Sequence, residues 1–139
     1  MDKVVNILLV EDDQLDVIDM KRTLEKMHIL NNMVVAKNGE DALRILNDRE
    51  RSAEANPDIV LIDINMPKMN GLEFLSTIRK MDEWKDLKCF IITTSDEKVD
   101  RTAAKELGIS GYIVKPLKLN NPSSMDAFNL MIDLMNFQR

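Results

Sequence analysis

The stretch VVNILLVEDD, residues 4–13, decides the fold class of this chain. It begins with a nearly continuous apolar run, broken once at Asn6, and acidic residues follow the run directly. Such a run, ending in a polar loop, is typical of a strand that is buried on both faces of a parallel sheet. From Leu15 onward the apolar residues take helical spacing, with charged residues between them. The stretch therefore predicts a buried strand followed by a helix, which is the first unit of an α/β fold.

The same alternation of strand and helix continues to the end of the chain. Further strands are predicted at residues 33–36, 59–62, 90–92 and 112–114. Apolar residues at helical spacing follow each strand and mark helices around residues 42–46, 72–78, 99–107 and 124–137. Strands that alternate with helices indicate a parallel sheet with helices on both faces. In a chain of this length we expect the doubly wound, flavodoxin-like sheet of five strands, in the order 2-1-3-4-5.

Turn and capping residues mark several boundaries. Gly108 follows the apolar pattern of the fourth helix and is expected to end it. Ser123, with Asp126 three residues later, has the spacing of a capping box at the start of the last helix. Residues 48–58 form the one long connection, and their charged, proline-containing sequence predicts a surface loop before the third strand.

Length and composition predict a single globular domain. The chain has 139 residues, of which 45% are hydrophobic, enough for one core but too few for a second domain beside it. We therefore expect residues 1–139 to form one domain with no output domain and a core from about residue 4 to residue 137. The single cysteine, Cys89, lies in an apolar run and is interpreted as a buried hydrophobic residue.

Charge and hydropathy argue against several classes of partner. The 24 acidic residues outnumber the 19 basic ones and give a net charge of −5, which does not favour nucleic acid or an anionic membrane. No apolar run approaches the roughly 18 residues that a membrane helix needs, and the N-terminus lacks a signal-peptide pattern. We therefore expect a cytoplasmic protein that binds neither nucleic acid nor membrane.

Chemically reactive side chains follow the strands at one predicted edge of the sheet. They are Glu11, Asp12 and Asp13 after the first strand, Asp63 after the third, Thr93 and Thr94 at the end of the fourth, and Lys115 and Pro116 after the fifth. In a doubly wound sheet, ligands bind at the carboxyl ends of the strands. The carboxylates of Glu11, Asp12 and Asp63 would repel one another unless a cation or an ammonium group lies nearby. Oxygen ligands of this kind predict a Mg²⁺ site.

Each of these residues has a simpler interpretation when it is taken alone. An acidic triplet after a strand is most often a solvated turn or a helix cap, and Asp63 by itself suits a cap of the following turn. Thr93 is a common strand residue, and Lys115 suits a surface position. Their combination at neighbouring strand ends supplies the carboxylates, hydroxyl and amine that phosphoryl transfer to a carboxylate requires.

Four sequence segments resemble the receiver domains of response regulators. They are LLVED at residues 8–12, DINMP at residues 63–67 with Gly71 after it, ITTS at residues 92–95 and GYIVKP at residues 111–116. The resemblance covers nearly the whole chain, and the spacings from Asp63 to Thr93 and from Thr93 to Lys115 also fit the family. Within the family, the chain is similar to stand-alone receivers that are paired with phytochrome-like sensor kinases. The resemblance implies a response regulator of a two-component phosphorelay.

The resemblance implies which residues bind the phosphoryl group and the metal. Asp63 would be the phosphoacceptor. Mg²⁺ would be bound by the side chains of Glu11, Asp12 and Asp63 and by the backbone carbonyl of Asn65. Thr93 and Lys115 would contact the phosphoryl group.

The resemblance also implies a conformational switch and a control of lifetime. Thr93 and Tyr112 would form the switch, and the Lys115–Pro116 peptide bond would be cis. Water that hydrolyses the aspartyl phosphate would approach past three side chains, Asn65, Thr94 and Ser95.

Partners follow from the same resemblance and from the last helix. The phosphodonor would be a sensor histidine kinase or a histidine phosphotransfer protein, and the chain would be a phosphoacceptor and not a turnover enzyme. The last helix has more apolar residues than one core-facing stripe needs, so some of them are expected to be exposed. We expect this helix, with the fourth helix and the fifth strand, to bind a target protein or a second copy of the chain.

Other functions stay open at this point. Asp63 and Asn65 are faintly similar to the Asp-x-Asp nucleophile motif of Mg²⁺-dependent phosphohydrolases, although the second position here is Asn. A receiver-like fold can also be a binding module that is never phosphorylated, although the complete set of acids, threonine and lysine argues against this. A flavin site is disfavoured, because acids follow the first strand where a phosphate loop would lie.

Overall fold

The computed structural model of the chain describes residues 3–48, 50 and 52–137. Within this part the strands are β1 (Val5–Val10), β2 (Asn31–Ala36), β3 (Ile59–Ile62), β4 (Cys89–Thr93) and β5 (Gly111–Val114). The helices are α1 (Gln14–Lys26), α2 (Gly39–Leu46), α3 (Gly71–Ile78), α4 (Lys98–Glu106) and α5 (Met125–Phe137). The strands pair in parallel in the order β2-β1-β3-β4-β5, which confirms the predicted doubly wound, flavodoxin-like fold.

The strands bury alternate residues on the two faces of the sheet. Leu8 and Val10 of β1 belong to the core cluster that includes α2, α3 and α4, whereas Ile7 and Leu9 belong to the cluster that includes α1 and α5. Because helices cover both faces of the sheet, the central strands are continuous apolar runs in the sequence and do not alternate between apolar and polar residues. Cys89 is buried in the first cluster, as predicted, and burial raises the pKa of its thiol to about 11.

The C-terminus of α1 is a Schellman motif. His28 adopts the left-handed conformation, with φ 56. Its backbone N–H donates to the carbonyl of Glu25 at 3.0 Å, and the N–H of Ile29 donates to the carbonyl of Leu24 at 3.0 Å. Leu24 and Ile29 are both buried in the same core cluster. Gly108, with φ 75, follows α4 in the same backbone region and ends that helix as predicted.

The start of α5 differs from the predicted capping box. Ser124, and not Ser123, caps the helix, because the hydroxyl oxygen of Ser124 accepts a hydrogen bond from the backbone N–H of Ala127 at 3.1 Å. The carboxylate of Asp126 instead accepts a hydrogen bond from the backbone N–H of Tyr112 at 2.9 Å. Since Tyr112 belongs to the edge strand β5, Asp126 ties α5 to the sheet.

The long connection before β3 is largely exposed, as predicted, although residues 49 and 51 lie outside the described residues. It contains a short 3₁₀ helix, Ala53–Ala55, which was not predicted. At its end, the carboxylate of Asp58 accepts a hydrogen bond from the backbone N–H of Asn6 at 2.8 Å. This contact joins the end of the connection to β1. The next strand, β3, pairs with β1.

Replacing His28 with glycine is expected to stabilise the fold. A Cβ atom in the left-handed region costs about 1–2 kcal/mol, although glycine also has more freedom in the unfolded chain. Urea denaturation of His28→Gly should therefore show a free energy of unfolding that is higher by about 0.5–1 kcal/mol. His28→Ala also removes the imidazole but keeps the Cβ atom, so His28→Gly should be more stable than His28→Ala by about 0.5–1 kcal/mol. If the free energy of unfolding rose equally in both variants, the imidazole ring, and not the backbone conformation, would be what destabilises this position.

Candidate functional site

Four strand ends bring the predicted residues together at one edge of the sheet. Glu11 directly follows β1, Asp63 follows β3, Thr93 ends β4 and Lys115 follows β5. Glu11, Asp63 and Thr93 are 4%, 8% and 0% exposed, and among the described residues they make up the buried polar and charged set. Charged groups are rarely buried unless they are paired or bind a metal. This edge of the sheet is therefore the candidate site.

Three carboxylates cluster at this edge. Oxygen atoms of Glu11, Asp12 and Asp63 lie within 4.8 Å of one another, and Asp12 is the exposed member. Burial raises the pKa of Glu11 to about 7, with a hydrogen bond from Lys115 acting against it and the charge of Asp63 adding to it. An oxygen-only set of mutually repelling ligands fits a divalent cation such as Mg²⁺.

The ammonium group of Lys115 lies among carboxylates. Its Nζ atom is 2.7 Å from Glu11 Oε1, 2.6 Å from Asp16 Oδ2 and 3.6 Å from Asp63 Oδ2. Burial acts to lower the pKa of Lys115, but the hydrogen bonds to Asp16 and Glu11 outweigh it and raise that pKa above its ordinary value. Lys115 is therefore a constant positive charge beside the acid cluster. The Lys115–Pro116 peptide bond is cis, the isomer that the resemblance implied.

Asp16 was not predicted as a residue of the site. It lies in the first turn of α1, which is capped by the side chain of Asp13. An acidic residue in this position ordinarily indicates a favourable interaction with the helix N-terminus. The start of α1 could have identified Asp16 in the sequence. This helix begins three residues after Glu11, at the edge of the sheet where the strand ends carry Glu11 and Lys115.

Tyr112 is joined to the end of β4 by hydrogen bonds. Its hydroxyl donates to the carbonyl of Ser95 at 2.9 Å, and the backbone N–H of Ser95 donates to Thr93 Oγ1 at 3.3 Å. The hydroxyl of Ser95 donates to Asp100 at 2.6 Å, and the guanidinium of Arg101 lies 4.8 Å from the centroid of the Tyr112 ring. Asp100 and Arg101 were not predicted, and they connect the predicted switch residues to the first turns of α4.

The residues that were predicted to control dephosphorylation lie close to the site. Asn65 and Thr94 are exposed, and Ser95 is half-buried. The backbone N–H of Asn65 donates to Asp63 Oδ1 at 3.4 Å. Thr94 lines, with Lys115, a groove of about 510 Å³ beside α1. Their predicted effect on the lifetime of a phosphoryl group stays a prediction.

The loop between β3 and α3 holds Asp63 in place. A Cβ atom on Gly71 would overlap the carbonyl oxygen of Asp63, and the N–H of Gly71 donates to the carbonyl of Ile64 at 3.1 Å. Asn70 and Glu73 form a capping box that starts α3 directly after this close approach. A larger residue at Gly71 would therefore displace the backbone of Asp63.

Comparison with known proteins identifies the family. Residues 7–124 match the response regulator receiver domain. The solved structure of a two-component response regulator from Legionella pneumophila has a TM-score of 0.78 and 34% identity, over 95% of this chain and 98% of that one. The structure of the bacteriophytochrome response regulator AtBRR has a TM-score of 0.76 and 31% identity, over 99% of this chain and 96% of that one.

A third relative is much longer than this chain. The sensor histidine kinase CheAY of Helicobacter pylori is 33% identical over 110 residues, which cover 79% of this chain and 13% of that kinase.

This chain belongs to the response regulator receiver domain family, whose members accept phosphoryl groups from histidine kinases. The similarity to a bacteriophytochrome response regulator confirms the predicted resemblance to that group of receivers. Across residues 3–48, 50 and 52–137, no helix has the length and apolar character needed to cross a membrane.

The raised pKa of Glu11 predicts that the stability of the metal-free protein depends on pH. Since the folded pKa of about 7 lies above the ordinary value of 4.5, folding favours the protonated carboxyl. This contribution is fully present below about pH 4.5 and is lost as the pH rises through about 7. Glu11→Gln should therefore be more stable than wild type at pH 8, by up to about 3 kcal/mol, and the difference should be much smaller at pH 5.

Urea unfolding of both proteins in a metal chelator, between pH 5 and pH 8, measures this difference. Acidic groups that lie far from Glu11 titrate alike in both proteins, so their contribution cancels in the comparison. A stability difference that is the same at both ends of the pH range would contradict the raised pKa of Glu11.

Proposed function

We propose that this protein accepts a phosphoryl group on Asp63, in the cytoplasm, from a sensor histidine kinase or a histidine phosphotransfer protein, with Mg²⁺ bound at the acid cluster. The supporting observation is the position of Asp63. The residue is 8% exposed, and its carboxylate clusters with Glu11 and Asp12 and lies 3.6 Å from the Nζ atom of Lys115. A carboxylate in these surroundings can form a covalent intermediate once its charge is compensated. In this role the protein is a phosphoacceptor and not a turnover enzyme.

The transfer itself replaces one bond to phosphorus by another. A carboxylate oxygen of Asp63 forms a bond to phosphorus while the bond from phosphorus to the donor imidazole nitrogen breaks, and that nitrogen keeps the electron pair. Glu11, Asp12, Asp63 and the backbone carbonyl of Asn65 are the ligands that we assign to Mg²⁺, which supplies charge neutralisation when bound. Lys115, already beside Asp63, contributes a second positive charge.

We assign the conformational response to Thr93, Tyr112 and Lys115. The hydroxyl of Thr93 accepts a hydrogen bond from the N–H of Ser95, and its own hydrogen stays available to a phosphoryl oxygen. A movement of Thr93 toward that oxygen displaces Ser95, whose carbonyl holds the hydroxyl of Tyr112. Because Ser95 also bonds Asp100, the same displacement reaches α4.

An apolar stripe on α5 supports an output by association. The exposed large apolar side chains of this helix are Met125, Phe128, Ile132 and Met135, called here the α5 stripe. At helical spacing they fall within about 80° of the helix circumference. The core-facing residues of α5 are Ala127, Leu130 and Leu134. We propose that the α5 stripe, with α4 and β5, binds a second copy of the chain or a target protein, and that phosphorylation changes this affinity.

Mass spectrometry tests the phosphoacceptor. With Mg²⁺ and acetyl phosphate, wild type should gain one phosphoryl group and Asp63→Asn none, because the amide lacks the nucleophilic carboxylate oxygen. Asp12→Asn should be labelled slowly, because the acid cluster loses one metal ligand. Asp19→Asn, at an exposed residue of α1, should be labelled like wild type. Equal labelling of wild type and Asp63→Asn would disprove the site, and an unlabelled wild type would disprove phosphoryl acceptance.

Sedimentation tests the homodimer. Wild type with Mg²⁺ and beryllofluoride should associate at concentrations at which the untreated protein is monomeric. Ile132→Glu should prevent this, because a charge in an apolar contact loses its hydration. Leu15→Glu is the matched control, since Leu15 is a 72% exposed apolar residue on α1, and it should associate like wild type. A concentration-independent monomer in both states would eliminate self-association and leave a separate target protein.

A further inference from the structure

The contact between Asp16 and Lys115 has no part in the chemistry described above. The Nζ atom of Lys115 is 2.6 Å from Asp16 Oδ2, and the two side chains are 14% and 33% exposed, so water reaches the pair only partly. The same atom is 2.7 Å from Glu11 Oε1 but 3.6 Å from Asp63 Oδ2. In the unphosphorylated protein, Lys115 is therefore hydrogen-bonded to Glu11 and Asp16, and its contact with the phosphoacceptor is longer than a hydrogen bond.

Asp16 holds Lys115 from outside the acid cluster. The acidic residues whose oxygen atoms lie within 4.8 Å of one another are Glu11, Asp12 and Asp63. Asp16 belongs to α1, whose first turn is fixed by the side chain of Asp13. The groove of about 510 Å³ beside α1 is lined by both Asp16 and Lys115, so there is open space on this side of the ammonium group. Lys115 can thus be drawn toward α1 by Asp16 or toward the cluster by Asp63.

We propose that Asp16 is a positioning residue that competes with phosphorylated Asp63 for the ammonium group of Lys115. The inference rests on the proposed function, because it needs a phosphoryl group on Asp63. A phosphoryl group adds between one and two negative charges beside Lys115, so it and Asp16 attract the same ammonium group from different positions. Asp16 therefore weakens the hold of Lys115 on the phosphoryl group and shortens the time for which that group is retained.

The same competition acts before phosphorylation. When the charge of Asp16 is removed, the ammonium group of Lys115 is attracted by Glu11 and Asp63 and no longer by Asp16. It then lies closer to the acid cluster, where it repels a bound cation. Asp16→Asn is therefore expected to weaken Mg²⁺ binding and to strengthen binding of a phosphoryl mimic. An acid that acted only on the N-terminus of α1 would produce no effect that depends on Lys115.

Titration with beryllofluoride in saturating Mg²⁺, followed by ¹⁹F NMR, tests the competition. Asp16→Asn should bind beryllofluoride about threefold to tenfold more tightly than wild type, and Asp16→Glu, which keeps the charge, should lie closer to wild type. Asp19 lines the same groove, but the ion pairs of Lys115 are with Glu11, Asp16 and Asp63. Asp19→Asn removes the same charge without removing an ion pair of Lys115, so it should bind like wild type. If Asp16→Asn binds no more tightly than Asp19→Asn, the competition is refuted.

Calorimetric titration with Mg²⁺ alone separates an action through Lys115 from a general loss of negative charge. Asp16→Asn should weaken Mg²⁺ binding more than Asp19→Asn does, and this excess should vanish when Lys115→Met is also present. An excess that persists without Lys115 would overturn the positioning role. The proposed function would survive that result, because phosphoryl labelling of wild type tests it separately. A wild type that takes up neither Mg²⁺ nor a phosphoryl group would overturn both.

Discussion

Carboxylates crowd together at one edge of the sheet, and the contacts of the site are arranged around their mutual repulsion. Glu11, Asp12 and Asp63 lie within 4.8 Å of one another, and two of them are buried. Such a cluster destabilises a fold unless positive charge compensates it. Lys115 supplies one positive charge, and its ammonium group is paired with three carboxylates, those of Glu11, Asp16 and Asp63. The excess of negative charge that remains is the physical basis for a cation at this site.

The fold keeps these like charges together through packing that is independent of them. Every residue of β3 is buried, because helices cover both faces of the sheet, and Asp63 follows that strand directly. Gly71 then lets the next turn approach the carbonyl of Asp63. Hydrophobic burial on both faces, at about 25 cal/mol per Å², is large enough to hold a small number of repelling groups at the ends of the strands. The site is thus a locally unfavourable arrangement on a stable scaffold.

The same edge is linked to the surface by a series of hydrogen bonds. Thr93 accepts from Ser95, Ser95 accepts from Tyr112, and Ser95 donates to Asp100 on α4. These bonds form one continuous series from the end of β4 to β5 and α4. Asp126 adds a second link, because it bonds the backbone of Tyr112 and so joins β5 to α5. Helices α4 and α5 are therefore connected to the site through Ser95 and Tyr112.

The fold follows from the sequence pattern, because strands buried on both faces are continuous apolar runs and the helices between them have amphipathic spacing. The sequence also determined that Glu11, Asp63 and Lys115 meet, since each follows a strand of the same parallel sheet. Two acids take partners that local sequence does not indicate. Asp16 binds Lys115 across 99 positions of sequence, and Asp126 binds the backbone of Tyr112 across 14. Local spacing favours a helix N-terminus for both acids. Their actual partners come from other elements, and only packing brings those elements within hydrogen-bonding distance.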